Sequence, residues 1–118
     1  GFCMDIVNPK HVQEVITSFD NKDVYIHLET TNGSYASHFK EGFLNAGAFL
    51  RNIVINFELG KIVGDSPHRV GLKLPAGWVY AQGITHYEVD KFGRLLLAGL
   101  DHEGKLSVAL HISETPFN

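Results

Sequence analysis

The sequence predicts a mostly β fold: an antiparallel β-sandwich or a partly closed barrel with one short N-terminal helix. The hydrophobic period is 3.6 residues near the N-terminus and becomes two residues after Asp20. Runs rich in β-branched and aromatic residues then recur at turn-sized intervals, separated by glycine, proline and aspartate. The 118 residues suit a single domain, 1–118, which can bury a core without disulfides or metals.

The helix is predicted over residues 9–19. Asn8 is a residue type that caps helix N-termini, and Pro9 is favoured at the first helical position. Apolar residues then recur at helical spacing, namely Val12, Val15, Ile16 and Phe19. We expect this apolar face to pack against a sheet.

A hairpin is predicted from residues 23–31 and 34–40. Asn32-Gly33 favours a two-residue type I′ turn between them. Such a turn sets the register so that His27 lies opposite His38. Glu29 lies two residues along the same strand and therefore on the same face.

Further strands are predicted over 46–51, 53–58, 68–74, 78–89, 94–100 and 105–113. Trp78 and Tyr80 mark the long run 78–89 as a central strand with core aromatics. Gly83 within it indicates a β-bulge. An open antiparallel sheet leaves edge strands that need protection, so we expect a homodimer or larger homo-oligomer.

Composition and charge exclude several classes of partner. The net charge is −3, and the ten Lys and Arg are spread along the chain without a basic block, so no nucleic-acid partner is expected. No apolar run approaches the roughly 20 residues that cross a bilayer. Cys3 is the only cysteine, which rules out an internal disulfide and is typical of a cytoplasmic protein.

A candidate metal site comprises His27, His38 and Glu29. Imidazoles about 5 Å apart at Cβ, with a carboxylate nearby, resemble a two-histidine, one-carboxylate set that holds a divalent metal and activates water for hydrolysis. The alternative is a polar sheet face with two ordinary histidines. Helical HExxH and CxxC signatures are absent from the sequence, so both interpretations stay open.

A candidate ligand site comprises Arg69, Lys73 and Tyr25. Arg69 and Lys73 flank Gly71 on one strand face and could bind an acidic ligand, although such pairs are more often simply solvated. Tyr25 is a candidate cleft residue along with the other large aromatics, Tyr35, Trp78 and Tyr80. Large aromatics at strand positions are more often core.

Longer segments carry a family resemblance; they are Val24–Thr31, Gly33–Tyr35, His38, Arg69–Lys73 and Gly77–Ala81. Together they resemble the YojF-like proteins of Bacillus and its relatives. The likeness runs from about residue 10 to the Pro116-Phe117 ending. It implies a small cytoplasmic β-sandwich of uncharacterised function, often encoded beside an LmbE-like deacetylase of bacillithiol synthesis. It implies no catalytic residues.

These observations favour a non-catalytic binding or accessory protein without a cofactor. The resemblance implies a role in bacillithiol metabolism, with an LmbE-like deacetylase as the partner. The alternative function is a small metal-dependent hydrolase that uses His27, His38 and Glu29.

Overall fold

The computed structural model describes residues 4–31, 47–65 and 67–118. The elements are β1 (Asp5–Ile6), α1 (Pro9–Ser18), β2 (Asp23–Thr31), β3 (Gly47–Asn56), β4 (Leu59–Gly64), β5 (His68–Leu74), β6 (Gly77–Ile84), β7 (His86–Val89), β8 (Leu95–Leu100) and β9 (Leu106–Ser113). A six-stranded sheet has the order β1-β7-β8-β9-β2-β3, and a three-stranded sheet has the order β4-β5-β6. All pairings are antiparallel.

The two sheets pack face to face around one apolar core, which confirms the predicted sandwich. The most deeply buried side chains come from the helix and both sheets: Val12, Ile16, Val24, Ile26, Val70, Leu72, Ile84, Leu95, Leu97, Leu110 and Ile112. Along β9, Val108, Leu110 and Ile112 alternate into this core, whereas Leu106 at its start is 37% exposed. No helix in the described part of the chain is long and apolar enough to span a membrane.

The helix confirms its predicted start and its packing face. The Asn8 side chain accepts a hydrogen bond from the backbone N–H of His11, as an N-cap does. The predicted face points inward: Val12 and Ile16 are fully buried, and Phe19 is 3% exposed at the C-cap. Burial of this stripe, rather than helix propensity alone, holds so short a helix in place.

Gln13 on the same helix protects the outer edge of β4. Its Nε2 donates to the carbonyl of Gly60 at 2.9 Å, and its Oε1 accepts from the backbone N–H of Ile62 at 3.1 Å. One side-chain amide thus satisfies two backbone groups on the outer edge of β4, as a neighbouring strand would.

Several strand boundaries differ from the prediction. The short β1 and the strand β4 were not predicted, since Gly60 and Gly64 have the character of turn residues. Gly60 instead lies within β4. The residue is glycine because a Cβ there would overlap Cγ2 of Ile16 on the helix. The predicted strands 46–51 and 53–58 are one strand, β3, in which Asn52 is the extra residue of a bulge at φ 58°.

The long predicted run 78–89 is two strands in different sheets. β6 ends at Ile84 and β7 begins at His86. β6 is an edge strand, where Trp78 is 48% exposed and Tyr80 is 52% exposed, so the prediction that they are core residues is wrong. The bulge at Gly83 is confirmed, because Gly83 is skipped in the pairing of β5 with β6 and has φ 83°.

The predicted partners of β2 also need correction. Both of its edges are occupied, one by β3 and the other by β9. His27 lies opposite Arg51 on one side and His111 on the other. The predicted strand 34–40, with His38, lies outside the described residues.

Candidate functional site

A cavity of about 630 Å³ opens on the face of the six-stranded sheet that points away from the core. One row of cross-strand neighbours crosses it: His86 pairs with Ala98, Ala98 with Ala109, and Ala109 with Glu29. Directly opposed residues of antiparallel strands point to the same face. Two alanines between two long side chains therefore leave a trough, with a histidine at one end and a carboxylate at the other.

The remaining lining of the trough combines two more histidines with apolar side chains. His27 and His111 are direct neighbours in the adjacent row, and their ring centroids are 5.1 Å apart. The apolar contribution comes from Met4, Leu100 and Leu106. A mostly apolar cavity with a few polar groups is the usual form of a small-molecule site.

Hydrogen bonds fix the proton positions of His27. Nη1 of Arg51 lies 3.0 Å from Nδ1 of His27, and a guanidinium can only donate. The Nδ1 atom therefore accepts, and the neutral ring carries its hydrogen on Nε2, which donates to Oε1 of Glu29 at 3.2 Å. The chain Arg51–His27–Glu29 thus holds the carboxylate in position at the trough.

Aromatic rings and residues 117–118 enclose this hydrogen-bonded chain. The Phe49 ring meets the His27 ring edge-on at a centroid distance of 5.0 Å. Phe117 is 7% exposed and lies against both His27 and His111. The Arg51 guanidinium lies over the Phe117 ring at 5.4 Å and donates to the carbonyl of Asn118 at 3.0 Å.

The bulge in β3 anchors Phe117 over the histidines. The Phe117 N–H donates to Oδ1 of Asn52 at 2.7 Å, and Nδ2 of Asn52 donates to the Phe117 carbonyl at 2.8 Å. Asparagine tolerates the left-handed backbone conformation that a bulge residue can require. The bulge at Asn52 therefore holds Phe117 in place against the two histidines.

His111 is a neutral imidazole at neutral pH. Burial is the largest cause that lowers its pKa to about 4, followed by repulsion from the charge that His27 carries when it is protonated and from the charge of Arg51. A neutral ring can donate one hydrogen bond and accept another. His111 therefore offers the cavity a polar contact without a positive charge.

His86 is oriented at the far end of the trough by Thr85. Oγ1 of Thr85 lies 2.7 Å from Nδ1 of His86 and accepts a hydrogen bond from the backbone N–H of Leu100 at 3.0 Å. The Thr85 hydroxyl has a single hydrogen, which it can donate to Nδ1 of His86 or to the carbonyl of Ala98 at 3.4 Å. In either case Thr85 contacts Nδ1, which leaves Nε2 as the ring nitrogen for a ligand.

The structure brings together two of the three residues proposed as metal ligands. His27 and Glu29 both line the trough, whereas His38 lies outside the described residues. Within residues 4–31, 47–65 and 67–118, no group of three or more His, Cys, Asp or Glu side chains is placed to hold a metal ion. Both ring nitrogens of His27 are already engaged, so ligation by His27 would require one of those hydrogen bonds to break.

The residues proposed as a ligand site do not form one site. Arg69 and Lys73 flank Gly71 on the outer face of the three-stranded sheet, as predicted. Tyr25 is half-buried in the other sheet, opposite Val54 and Ser113.

Sequence reasoning missed His86 and His111 as members of the cavity. In the predicted strand 105–113, Leu106, Val108, Leu110 and Ile112 alternate with the other residues, which places His111 on the opposite, more polar face. The missing information was the strand order, because only the pairing of β2 with β9 brings His111 beside His27. His86 had no local signal, since the run that contains it was predicted as one continuous strand.

Comparisons with known proteins agree over almost the whole chain. A family model described as "Protein of unknown function (DUF1806)" matches residues 6–117. The chain is 45% identical over 114 residues to a protein described as "Uncharacterized protein YojF" from Bacillus subtilis (strain 168), covering 97% of this chain and 98% of that protein. It is also similar to the crystal structure of the Bacillus subtilis YojF protein, with a TM-score of 0.82, 39% identity and 99% of both chains covered.

Proposed function

This chain belongs to the DUF1806 family, whose description names no activity, and we propose that it is a small-molecule-binding protein whose ligand lies in the trough between Glu29 and His86. The observation that carries the proposal is the row Glu29–Ala109–Ala98–His86, which makes a concave floor with a polar group at each end. The cavity volume of about 630 Å³ is within the range of small-molecule sites.

The lining sets the chemistry of the ligand. Glu29 offers a carboxylate, so it selects an amine or a hydroxyl group at that end. The alanine floor and the side chains of Leu100 and Leu106 favour an apolar body. A ligand with a carboxylate facing Glu29 would be repelled.

Matched pairs of small probes test this selectivity. Butylamine, cyclohexylamine and benzylamine are compared with butyrate, cyclohexanecarboxylate and benzoate by following the NMR signals of the histidine rings. We expect the amines to shift the signals of His27 and His111, and the carboxylates to leave them unchanged. Equal binding of both series would contradict the proposed role of Glu29.

Two variants and a control separate the parts of the site. Glu29→Gln keeps the shape but removes the charge, and should weaken amine binding by roughly tenfold or more. Ala109→Leu fills the floor and should block every probe. Ala76→Leu makes the same change at an exposed position outside the cavity lining and should bind like the wild type.

The proposed biological setting is bacillithiol metabolism in the cytoplasm, beside an LmbE-like deacetylase. Its support is the gene neighbourhood that the YojF-like resemblance implies, together with membership of the family. We propose a homodimer as the working form, since β3 has exposed apolar side chains and is the last strand of its sheet in the described part of the chain. Co-elution of the purified chain with the deacetylase on size exclusion tests the partner, and separate elution at micromolar concentrations would contradict it.

The alternative is a small metal-dependent hydrolase that uses His27, His38 and Glu29. Its support is the direct hydrogen bond of His27 to Glu29 at the cavity. The engagement of His27 by Arg51 makes this the weaker proposal. Zinc titration by calorimetry tests it, because a hydrolase of this kind should bind about one ion per chain and lose that binding in His27→Gln.

A further inference from the structure

The outer face of the three-stranded sheet is a second surface, unrelated to the trough. Three rows of cross-strand neighbours make it up: Leu59–Lys73–Trp78, Lys61–Gly71–Tyr80 and Val63–Arg69–Gln82. We call these nine residues the aromatic–cation face. It contains three of the ten Lys and Arg of the chain.

Two aromatic rings form a platform on this face. Trp78 and Tyr80 are stacked in parallel, with ring centroids 5.4 Å apart and an interplanar angle of 9°. Tyr80 lies against Gly71, where a Cβ would be 2.9 Å from its Cε1, so glycine makes room for the ring. Covering a glycine explains the position of Tyr80. It does not explain why Trp78 stacks upon Tyr80 while 48% exposed.

The cations beside the platform are largely unneutralised. Lys73 is 3.9 Å from Glu58, a weak exposed pair. Lys61 and Arg69 form no ion pair within the described residues. The local charge is therefore positive on a chain whose net charge is −3.

We propose that the aromatic–cation face binds a single-stranded nucleic acid, with a base stacked on the rings and the neighbouring phosphates at the cations. The parallel rings of Trp78 and Tyr80 offer a stack to which another planar ring can add, and Lys61 and Arg69 supply charges for phosphate. An acidic peptide would match the charges but would leave the rings unused.

The sequence has no basic block, so no phosphate-binding surface was expected. Lys61, Arg69 and Lys73 are separated by seven and by three other residues. Antiparallel pairing of β4 with β5 places Lys61 and Arg69 in adjacent rows. The fold therefore gathers charges that the sequence distributes.

The chain contains a single tryptophan, so intrinsic fluorescence reports directly on this face. The wild type is titrated in low salt with a 12-mer of oligodeoxythymidylate, with thymidine monophosphate and with inorganic pyrophosphate. We expect the oligonucleotide to quench the fluorescence of Trp78. Its affinity should fall with salt at a log–log slope of about −2, the value for three cations on a single strand.

Variants are compared with a fluorescein-labelled 12-mer by anisotropy, after circular dichroism has shown that each is folded. Trp78→Ala should weaken binding by about fivefold or more through loss of stacking. Arg69→Gln should reduce the salt slope by about 0.7. Phe92→Ala is the matched control, because Phe92 is 69% exposed beside Lys91 and Arg94 but lies elsewhere, and it should bind like the wild type.

Each outcome decides for or against the proposal. Tighter binding of the 12-mer than of thymidine monophosphate supports the proposal. The proposal is overturned if the 12-mer does not bind, if the monophosphate or pyrophosphate binds as tightly as the 12-mer, or if Trp78→Ala binds like the wild type. It is also overturned if polyglutamate alone changes the fluorescence of Trp78, a result that would indicate an acidic protein partner.

Discussion

His27 and His111 lie side by side in the trough, but their surroundings give them different properties. The two ring nitrogens of His27 are engaged by Arg51 and Glu29, so this ring positions the carboxylate. His111 is instead kept neutral, with its pKa lowered to about 4 mainly by burial. At the scale of single residues, the site therefore combines a held negative charge with an uncharged imidazole.

The lowered pKa of His111 predicts a pH-dependent stability. The unfolded chain binds a proton at His111 below about pH 6.5, whereas the folded chain does so only below about pH 4. The free energy of unfolding is therefore unaffected by His111 above pH 6.5 and decreases as the pH falls to 4. The total decrease has an upper limit of about 3 kcal/mol. Urea unfolding of the wild type and His111→Gln at pH 7, 6, 5 and 4.5 measures it.

We expect the wild type to lose more stability than His111→Gln across this range. His102→Gln is the control, since His102 has a side chain that is 77% exposed and should follow the wild type. Parallel curves for the wild type and His111→Gln would contradict the assignment of a buried neutral ring.

At the scale of elements, the prediction succeeded where neighbouring residues in the sequence determine the structure. It failed where contacts between distant residues determine it. The helix was predicted because its N-cap residue and its apolar face both lie within residues 8–19. β4 was missed because Gly60 is required by contact with Ile16, a residue distant in sequence. Trp78 was placed in the core because a strand pattern does not reveal which sheet the strand joins.

The same limit applies to the candidate site. His27 and Glu29 share a face through simple alternation, so they were predicted together. Strand order decides what lies beside them, and the pairing of β2 with β9 brings in His111. An Asn-Gly pair indicates a turn, but it could not reveal that β3 and β9 occupy both edges of β2.

The packing of the helix on β4 leaves no room for a side chain at Gly60. Gly60→Ala should lower the free energy of unfolding by about 1–3 kcal/mol, because the new methyl group would overlap Cγ2 of Ile16. Gly77→Ala is the matched control, since a Cβ there meets nothing within 4 Å. In an Ile16→Ala background the cost of Gly60→Ala should shrink or reverse. An unchanged cost in that background would show that the contact is not the cause.

The bulge of β3 predicts a graded response at Asn52. Asn52→Ala removes both hydrogen bonds to Phe117 and places an alanine at φ 58°, so we expect a loss of about 2–3 kcal/mol in urea unfolding. Asn52→Gly removes the same bonds but accepts that φ, so its loss should be smaller. Equal losses would show that backbone conformation at this position contributes nothing.

At the scale of the whole molecule, the two sheets differ in size. The helix and the three-stranded sheet pack on one face of the six-stranded sheet, and within residues 4–31, 47–65 and 67–118 β3 is the last strand of that sheet's order. β3 is exposed along most of its ten residues, including the large apolar side chains Phe49, Leu50, Ile53 and Val54. Such an edge strand promotes association unless it is covered.

The other edge of the same sheet differs from β3. β1 has only two residues, and a short edge strand offers few groups for pairing. The contrast makes β3 the edge at which we propose that a second copy of the chain binds. Antiparallel pairing of β3 with its symmetry mate would bury the same apolar side chains on both copies.

Light scattering after size exclusion at micromolar concentration tests this assembly. We expect the wild type to have a mass near twice the 13.1 kDa of one chain. Ile53→Lys should shift it toward the monomer, since Ile53 is 45% exposed on β3 and a charge there would be costly to bury between copies. Ile6→Lys makes the same substitution on β1, where Ile6 is 78% exposed, and should remain dimeric. A monomeric wild type would end the proposal, and a dimeric Ile53→Lys with a dimeric Ile6→Lys would place the interface away from both edges of this sheet.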